Sequence, residues 1–526
     1  MKKWEIVKEY KGDLIDILLE NRGVVTKKEK NVFLKPPDPA TLTSKDVAID
    51  KVSITKAIKR IQKAIKDKES IVVYADYDAD GITAGAIMWE ALHSLGAMVM
   101  PYIPHRVEEG YGLSIKGIDA ICKQYDPTLI ITVDHGITAW EKVLYAKKKG
   151  IDVIITDHHV KPKKLPDCTT IHTTKLSGAG VSWFLAKELT SFSPLELVAL
   201  GTIADMVPLT GPNRSIVRFG LEALNKTLRV GLEALMADAG LTKGALDVYA
   251  VSHMIAPRLN AAGRIEHAMD ALRLLCTKQK DKAAFLAEKL GFTNRERQKL
   301  TEETLVHALK GLTLRRQGET FSEKLIFISH ESYNPGVIGL VAGKLVEEYY
   351  RPAIVVSKGD TYSKASARSI SGFNIVEAIR SFSDILVDVG GHPMAAGFTV
   401  ETKNLAVLQE RLEKLTEKEL DEDKLTRTLK IDAEIPLDDV TPELYKELQQ
   451  LQPFGFGNPE PVFATRNVTV TESRLVGAEG KHLKLRLSSI DAIAFNFGSL
   501  YRKLQNNATV DLAYTIDMNT WNGSSK

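Results

Sequence analysis

Ile71-Val-Val-Tyr-Ala-Asp-Tyr-Asp-Ala-Asp-Gly81 decides how the rest of the chain is read. It opens as an apolar, β-branched run of the kind that makes a buried strand. It closes on three carboxylates at alternate positions, Asp76, Asp78 and Asp80, and passes into a helical pattern expected over 82–95. Acids confined this closely repel one another and lose hydration, so a fold keeps them together only with compensating cations. Ligands that are all oxygen suit hard divalent ions such as Mg2+ or Mn2+. Taken alone, Asp-x-Asp-x-Asp also fits a solvated acidic turn or a calcium loop.

The next strand ends separate these readings. Leu129-Ile-Ile-Thr-Val133 runs into Asp134-His135-Gly136, and Val153-Ile-Ile-Thr156 runs into Asp157-His158-His159. Helices are expected at 114–124 and 138–149, with Gly150 placed to stop the second. Strand and helix therefore alternate from 71 to about 210, which implies a mostly parallel sheet with right-handed crossovers. Ligands bind such sheets beyond the carboxyl ends of the strands. Three strand ends converging on acid and imidazole side chains form a candidate metal centre. Asp205, in Gly201-Thr-Ile-Ala-Asp-Met-Val-Pro208, reads alone as a helix-end aspartate; beside the others it can close the site.

Candidate anion contacts follow. Pro257-Arg-Leu-Asn-Ala-Ala-Gly-Arg264 sets Arg258, Asn260 and Arg264 among small residues, as a phosphate-gripping segment or an ordinary basic loop would. Arg106 lies near the second strand end. A second α/β unit begins at Leu325-Ile-Phe-Ile-Ser329, after one or two long helices broken or bent near Gly291 and densely charged around Asn294-Arg-Glu-Arg297. The glycine-rich Pro335–Gly343, Ser366, Arg368 and His392 read as a phosphate-backbone surface facing the metal domain. Past 425, short alternating strands predict a small antiparallel barrel of OB type, which offers a single-strand groove. Residues 1 to about 70 read as helical and lysine-rich.

The 526 residues exceed one core and point to about three domains. With 70 basic against 67 acidic residues the net charge is only +3, so affinity for nucleic acid has to come from local patches. Three scattered cysteines form neither a disulfide framework nor a thiolate zinc site. The N-terminus lacks the apolar core of a signal peptide, and no apolar run reaches the roughly 18 residues of a membrane span. A cytoplasmic protein without membrane attachment is expected.

The motif set Asp76–Gly81, Val133–Gly136, Asp157–His159, Ala204–Pro208 and Pro257–Arg264 resembles the DHH phosphoesterase superfamily. Gly390-Gly-His392 and Ser366-Ala-Arg-Ser369 resemble its DHH-associated domain, and Pro453-Phe-Gly-Phe-Gly-Asn-Pro459 resembles the OB domain of RecJ-like exonucleases. The resemblance covers nearly the whole chain in order. It implies an α/β fold with a parallel-sheet DHH domain, a smaller α/β associated domain joined by a long helix, and an OB-like β-barrel. The implied partition is 1–265 for the N-terminal segment and catalytic domain, 266–318 for the connector, 319–420 for the associated domain and 425–526 for the OB-like domain, which stops about one strand short.

The activity implied is 5′→3′ hydrolysis of single-stranded DNA in recombination and repair. Two ions, Mn2+ or Mg2+, would be held by Asp76, Asp78, Asp80, Asp134, His158 and Asp205, with Asp134 bridging; two cations about 3.5–4 Å apart can activate water and neutralise phosphoryl charge. Asp134, His158 and His159 are the implied catalytic residues, His159 stabilising or protonating the transition state. Arg106, Arg258, Asn260, Arg264, Ser366, Arg368 and His392 are the implied DNA contacts. A monomer served by a single-strand-binding protein or a helicase is the family expectation. The sequence departs from the family at His135, where relatives usually carry Cys or Asn, and at Asn334, where many carry His. A phosphoesterase for short oligonucleotides or cyclic dinucleotides and a non-catalytic strand-binding scaffold are the competing readings.

Overall fold

Both faces of the strand Ser70–Ala75 are covered, and that explains its unbroken apolar run. Ile71 and Val73 enter one hydrophobic core, and Val72 and Tyr74 enter another on the opposite face. In the computed structural model, which describes residues 3–106, 108–314, 323–488, 490–505, 507–521, 524 and 525, this strand is second in a five-stranded parallel sheet. The order is Met98–Tyr102, Ser70–Ala75, Leu129–Val133, Asp152–Asp157 and Thr169–His172. The amphipathic helix Lys51–Lys66 feeds it, capped by Asp50 and burying Ile54, Ala57 and Ile61.

The helix after the acidic stretch runs Ala79–Ser94 and starts three residues before the expected 82. The reason is local: the Asp78 carboxylate accepts the Gly81 N–H at 3.0 Å and so caps the first turn. Asp80 is thereby a first-turn helical residue. This helix packs against Gly178–Lys187 and Leu195–Ala204. Asp205 is the residue that ends the latter.

A second five-stranded sheet, mostly antiparallel, has the order Leu386–His392, Ala395–Glu401, Tyr362–Arg368, Ala353–Ser357 and Ile326–His330. The connecting helix Lys280–Leu314 is continuous for 35 residues, about 52 Å at 1.5 Å per residue. The expected break at Gly291 is absent, because the glycine serves packing: a Cβ there would lie 2.2 Å from an Asp238 carboxylate oxygen. The end of the expected connector, 315–318, and the start of the associated domain, 319–322, lie outside the described residues.

The chain divides into two compact units, Pro37–Arg427 and a second that unites Met1–Pro36 with Thr428–Lys526. The first 36 residues therefore group with the C-terminal strands, where the expected partition set them with the catalytic domain. Residues Lys3–Lys8, read as helical, form an edge strand parallel to Thr428–Glu434, with Ile6 opposite Ile431. Leu18, Leu19 and Phe33 complete the core around Leu448 and Phe463. Strands Thr428–Glu434 and Phe463–Val470 also pair in parallel, so the unit is not wholly antiparallel. A three-stranded antiparallel meander, Glu472–Val476, His482–Leu487 and Ile490–Ala494, completes it.

Candidate metal centre and anion pocket

Three parallel strand ends and one helix end deliver the acidic and imidazole side chains to one place. Asp76, Asp78 and Asp134 each bring a carboxylate oxygen within 4.8 Å of the others, and a carboxylate oxygen each from Asp80 and Asp205 and a ring nitrogen of His158 lie equally close together. His158 Nε2 lies 3.2 Å from Asp134 Oδ1 and 3.6 Å from Asp205 Oδ2, so the two groups meet at Asp134 and His158. Asp134 sits at φ +67°, an uncommon backbone for a residue other than glycine, held by its N–H bond to the Thr156 carbonyl at 2.9 Å.

The helix Gly178–Lys187 supplies the nearest dipole. The N–H groups of Gly178 and Ala179 donate to the two Asp80 oxygens at 2.6 and 2.8 Å. Gly178 is also the close approach: a Cβ there would fall 2.2 Å from Asp134 Oδ1.

These carboxylates are almost inaccessible to solvent; Asp76, Asp80 and Asp134 are each 2% exposed or less. Burial, and after it the charge of neighbouring aspartates, pushes Asp76 and Asp134 well above the ordinary range, Asp80 to about 7 and Asp205 to about 9. Asp134 Oδ1 is buried and accepts no hydrogen bond among the described residues. A cluster of repelling, desolvated acids with an orphaned oxygen at its centre fits divalent cations with oxygen and imidazole ligands. Burial, and then His159, brings His158 down to about 4, which leaves it the neutral imidazole a metal requires.

Asp157 and His159 form a separate device. Asp157 Oδ1 accepts from His159 Nδ1 at 2.8 Å and from the N–H groups of His158 and His159, while Oδ2 accepts from Ile137 N–H at 2.7 Å. Burial works against charge on His159, but the hydrogen bond and charge of Asp157 outweigh it and raise the imidazole to about 9. His159 is therefore a cation whose other nitrogen, Nε2, shares a hydrogen bond of 3.3 Å with the Tyr111 hydroxyl. From the second sheet, the His392 ring lies nearly parallel to it, with 6.5 Å between centroids.

Beside the metal ligands is a cavity of about 190 Å3. It is lined by Asp76 and Asp78, by Arg106 and Arg264, and by Tyr77, Tyr111 and Asn260. Arg106 stacks over Tyr77 at 5.0 Å from the ring centre. Arg264 donates to the Gly336 carbonyl at 3.2 Å; burial first, then Arg106, Arg297 and Arg368, lowers it to about 10, with Asp78 working the other way. Arg368 donates to Ser366 Oγ and to the Ala367 carbonyl.

Two expected contacts have other duties. Arg258 is paired with Asp238 at 2.8 Å and bound to the Met254 carbonyl, which ties two helices and withdraws it from the anion set. Asn260 accepts the Ala79 N–H at 2.8 Å, so its carbonyl caps the helix that carries Asp80 while the residue still lines the cavity. Of the two departures, His135 is a buried core residue bound to the Tyr74 carbonyl at 3.0 Å and brought to about 4 by burial. Asn334 accepts the Gly336 N–H at 2.7 Å and fixes the turn that Arg264 leans on. Tyr77 and Tyr111 line the cavity although the sequence reading does not name them as site residues. Tyr77 is legible as the residue between Asp76 and Asp78, but only the fold brings Tyr111 to the cavity.

Family models match three successive stretches: the DHH family N-terminal domain over residues 70–205, the DHHA1 domain over 322–418 and the RecJ OB domain over 431–526. The single-stranded-DNA-specific exonuclease RecJ of Bacillus subtilis is 37% identical over 98% of this chain, and that of Thermus thermophilus is 35% identical over 89%. The chain spans 66% of the length of the first and 69% of the second. The crystal structure of Thermus thermophilus RecJ in complex with Mn2+ superposes with a TM-score of 0.84 at 31% identity, covering 99% of this chain and 78% of that one.

Proposed function

Because this chain belongs to the RecJ family of single-stranded-DNA-specific exonucleases, we propose that it hydrolyses single-stranded DNA from the 5′ end at the centre formed by Asp134 and His158. The observation that carries the reading is a cavity lined by both metal-type carboxylates and guanidiniums. Asp76, Asp78 and Asp134 would hold one Mn2+ or Mg2+, and Asp80, His158 and Asp205 a second, with Asp134 bridging. Bound there, the ions supply Lewis-acid charge to the scissile phosphate and acidify the attacking water.

The protein's own groups do the rest. Arg106, Arg264 and Arg368, none within salt-bridge distance of a carboxylate among the described residues, grip phosphate oxygens with charge-assisted bonds, with Ser366 beside Arg368. Protonated His159, oriented by Asp157, offers Nε2–H to a phosphate oxygen or the leaving oxygen. Tyr77 and Tyr111 provide stacking faces that accept any base. The RecJ-type OB region at 431–526 provides a second strand-binding surface. Action in repair and recombination, in the cytoplasm, as a monomer supplied by a single-strand-binding protein or helicase, completes the reading; no helix among the described residues is long and apolar enough to cross a membrane.

Digestion of oligonucleotides labelled at either end, with Mn2+ or with chelator, tests it. Metal-dependent release of mononucleotides from the 5′ end is the expected result. Release from the 3′ end, equal turnover of dinucleotides, or tight binding without cleavage would each overturn it.

A further inference from the structure

The densely charged stretch Asn294-Arg-Glu-Arg297 belongs to the connecting helix Lys280–Leu314. Residues three apart share a helix face, so Asn294 and Arg297 point the same way. That helix packs against Ala256–Ile265, which carries Arg264 in its last turn. Asn294 is only 3% exposed, yet its side-chain oxygen has no hydrogen-bond partner; Arg297 Nε is likewise buried and unpaired. Among the described residues no carboxylate lies within salt-bridge distance of Arg297, and burial lowers its basicity with nothing to offset it. A structural arginine in this region looks different: Arg258 is paired with Asp238 and bound to a backbone carbonyl. A buried guanidinium donor without a partner, next to other guanidiniums outside salt-bridge distance of any carboxylate among the described residues, marks a place that an anion completes, while the Asn294 oxygen, an acceptor, calls for a donor.

We propose that Arg297 is a further substrate-binding residue, a guanidinium delivered by the connecting helix to the DNA phosphate that Arg264 and Arg368 grip. This rests on the exonuclease reading above. It gives the connector a chemical role: one anion is held by the first domain through Arg264, by the second sheet through Arg368 and by the helix between them through Arg297. Asn294, one turn earlier, lies on the face that presents Arg297.

The test uses the full chain with Mn2+ and a 5′-phosphorylated single strand, comparing wild type with Arg297→Gln and Arg297→Lys over a range of salt. Loss of one charge-assisted phosphate contact is expected to raise KM about tenfold, with a smaller change in kcat. The slope of log affinity against log salt should shrink by about 0.7, the value of one single-strand phosphate contact. Arg297→Lys keeps the charge but loses the planar fork, so it should recover the salt slope and only part of the KM. Wild-type KM and salt slope in Arg297→Gln would overturn the proposal. If Arg297→Gln lowers Tm, Arg297→Lys decides alone: an unchanged KM at native Tm overturns it. A wild-type chain that cleaves nothing overturns the exonuclease reading instead, and strand binding by the same three proteins still reports on Arg297.

Discussion

His159 Nδ1 lies 2.8 Å from Asp157 Oδ1, so the second histidine of Asp157-His158-His159 is bound by the first residue of its own motif. Adjacent histidines thereby differ in state. His158 is neutral beside Asp134 and Asp205, and His159 is a cation held between Asp157 and the Tyr111 hydroxyl. Asp157→Asn keeps the shape but removes the charge and sets an amide against the Ile137 N–H donor. We expect kcat to fall by about 10²-fold, the lower end of what a positioned proton donor contributes. The rise in Tm on adding Mn2+ should survive, since Asp157 accepts four hydrogen bonds and is no metal ligand in this reading. An unchanged kcat would show that His159 needs no orienting partner.

Asp134 belongs to one group of candidate ligands and lies 3.2 Å from His158 of the other, and burial followed by the charges of Asp80, Asp78, Asp76 and Asp205 raises its pKa. Asp134→Asn should therefore act in opposite directions. Activity is expected to fall by at least about 10³-fold, on the scale of losing a principal catalytic group. Tm in chelator should hold or rise, because a buried repelling charge is gone. Thermal melts with and without Mn2+ check both: the wild type should gain about 2.7 kcal/mol at a hundredfold excess over Kd, and the variant far less. A large loss of stability in chelator would contradict the account.

Gly178 tests the approach of the helix to the ligands. Alanine is the better helix former, so Gly178→Ala on an open helix would stabilise. Here its Cβ would meet Asp134 Oδ1 at 2.2 Å and Cγ at 2.4 Å, at a site already bounded by the Asp80 hydrogen bonds. The expected result is weaker Mn2+ stabilisation and a drop of at least tenfold in kcat/KM with the helical circular-dichroism signal intact. Native metal dependence would mean that the loop carrying Asp134 yields easily.

Much of this centre was legible because the parallel strands end in short tags, Asp76-Tyr-Asp-Ala-Asp80, Asp134-His-Gly136 and Asp157-His-His159, and strand ends in such sheets share an edge. The anion side was less legible. Arg258 and Arg264 stand six residues apart in one motif, yet only Arg264 faces the cavity, because Arg258 finds Asp238 on a helix that local sequence gives no means of pairing with it. Arg297 read only as part of a densely charged stretch of the connector, because a long-range contact decides which face of that helix is buried. Lys3–Lys8 was lost to its lysines; as an edge strand with most residues exposed, it carries little of the alternation that marks a half-buried one.

Glu69, just before the first strand of the parallel sheet, supplies a pH test away from the metal centre. Burial would raise its pKa, but hydrogen bonds from Arg60, Thr128 and Lys63 prevail and bring it from 4.5 to about 2. A carboxylate depressed in the folded state contributes stability that is fully present above its unfolded value and is lost as pH falls toward its folded value. For Glu69 that window runs from about 4.5 down to about 2. Glu69→Gln removes the charge and leaves Arg60 with Asp152 alone among its acidic partners. The variant should melt below the wild type at pH 7, and the gap should narrow as melts move from pH 5 toward pH 3. A gap that stays constant over that range would mean that the glutamate acts by its shape and hydrogen bonds and its ionisation adds nothing.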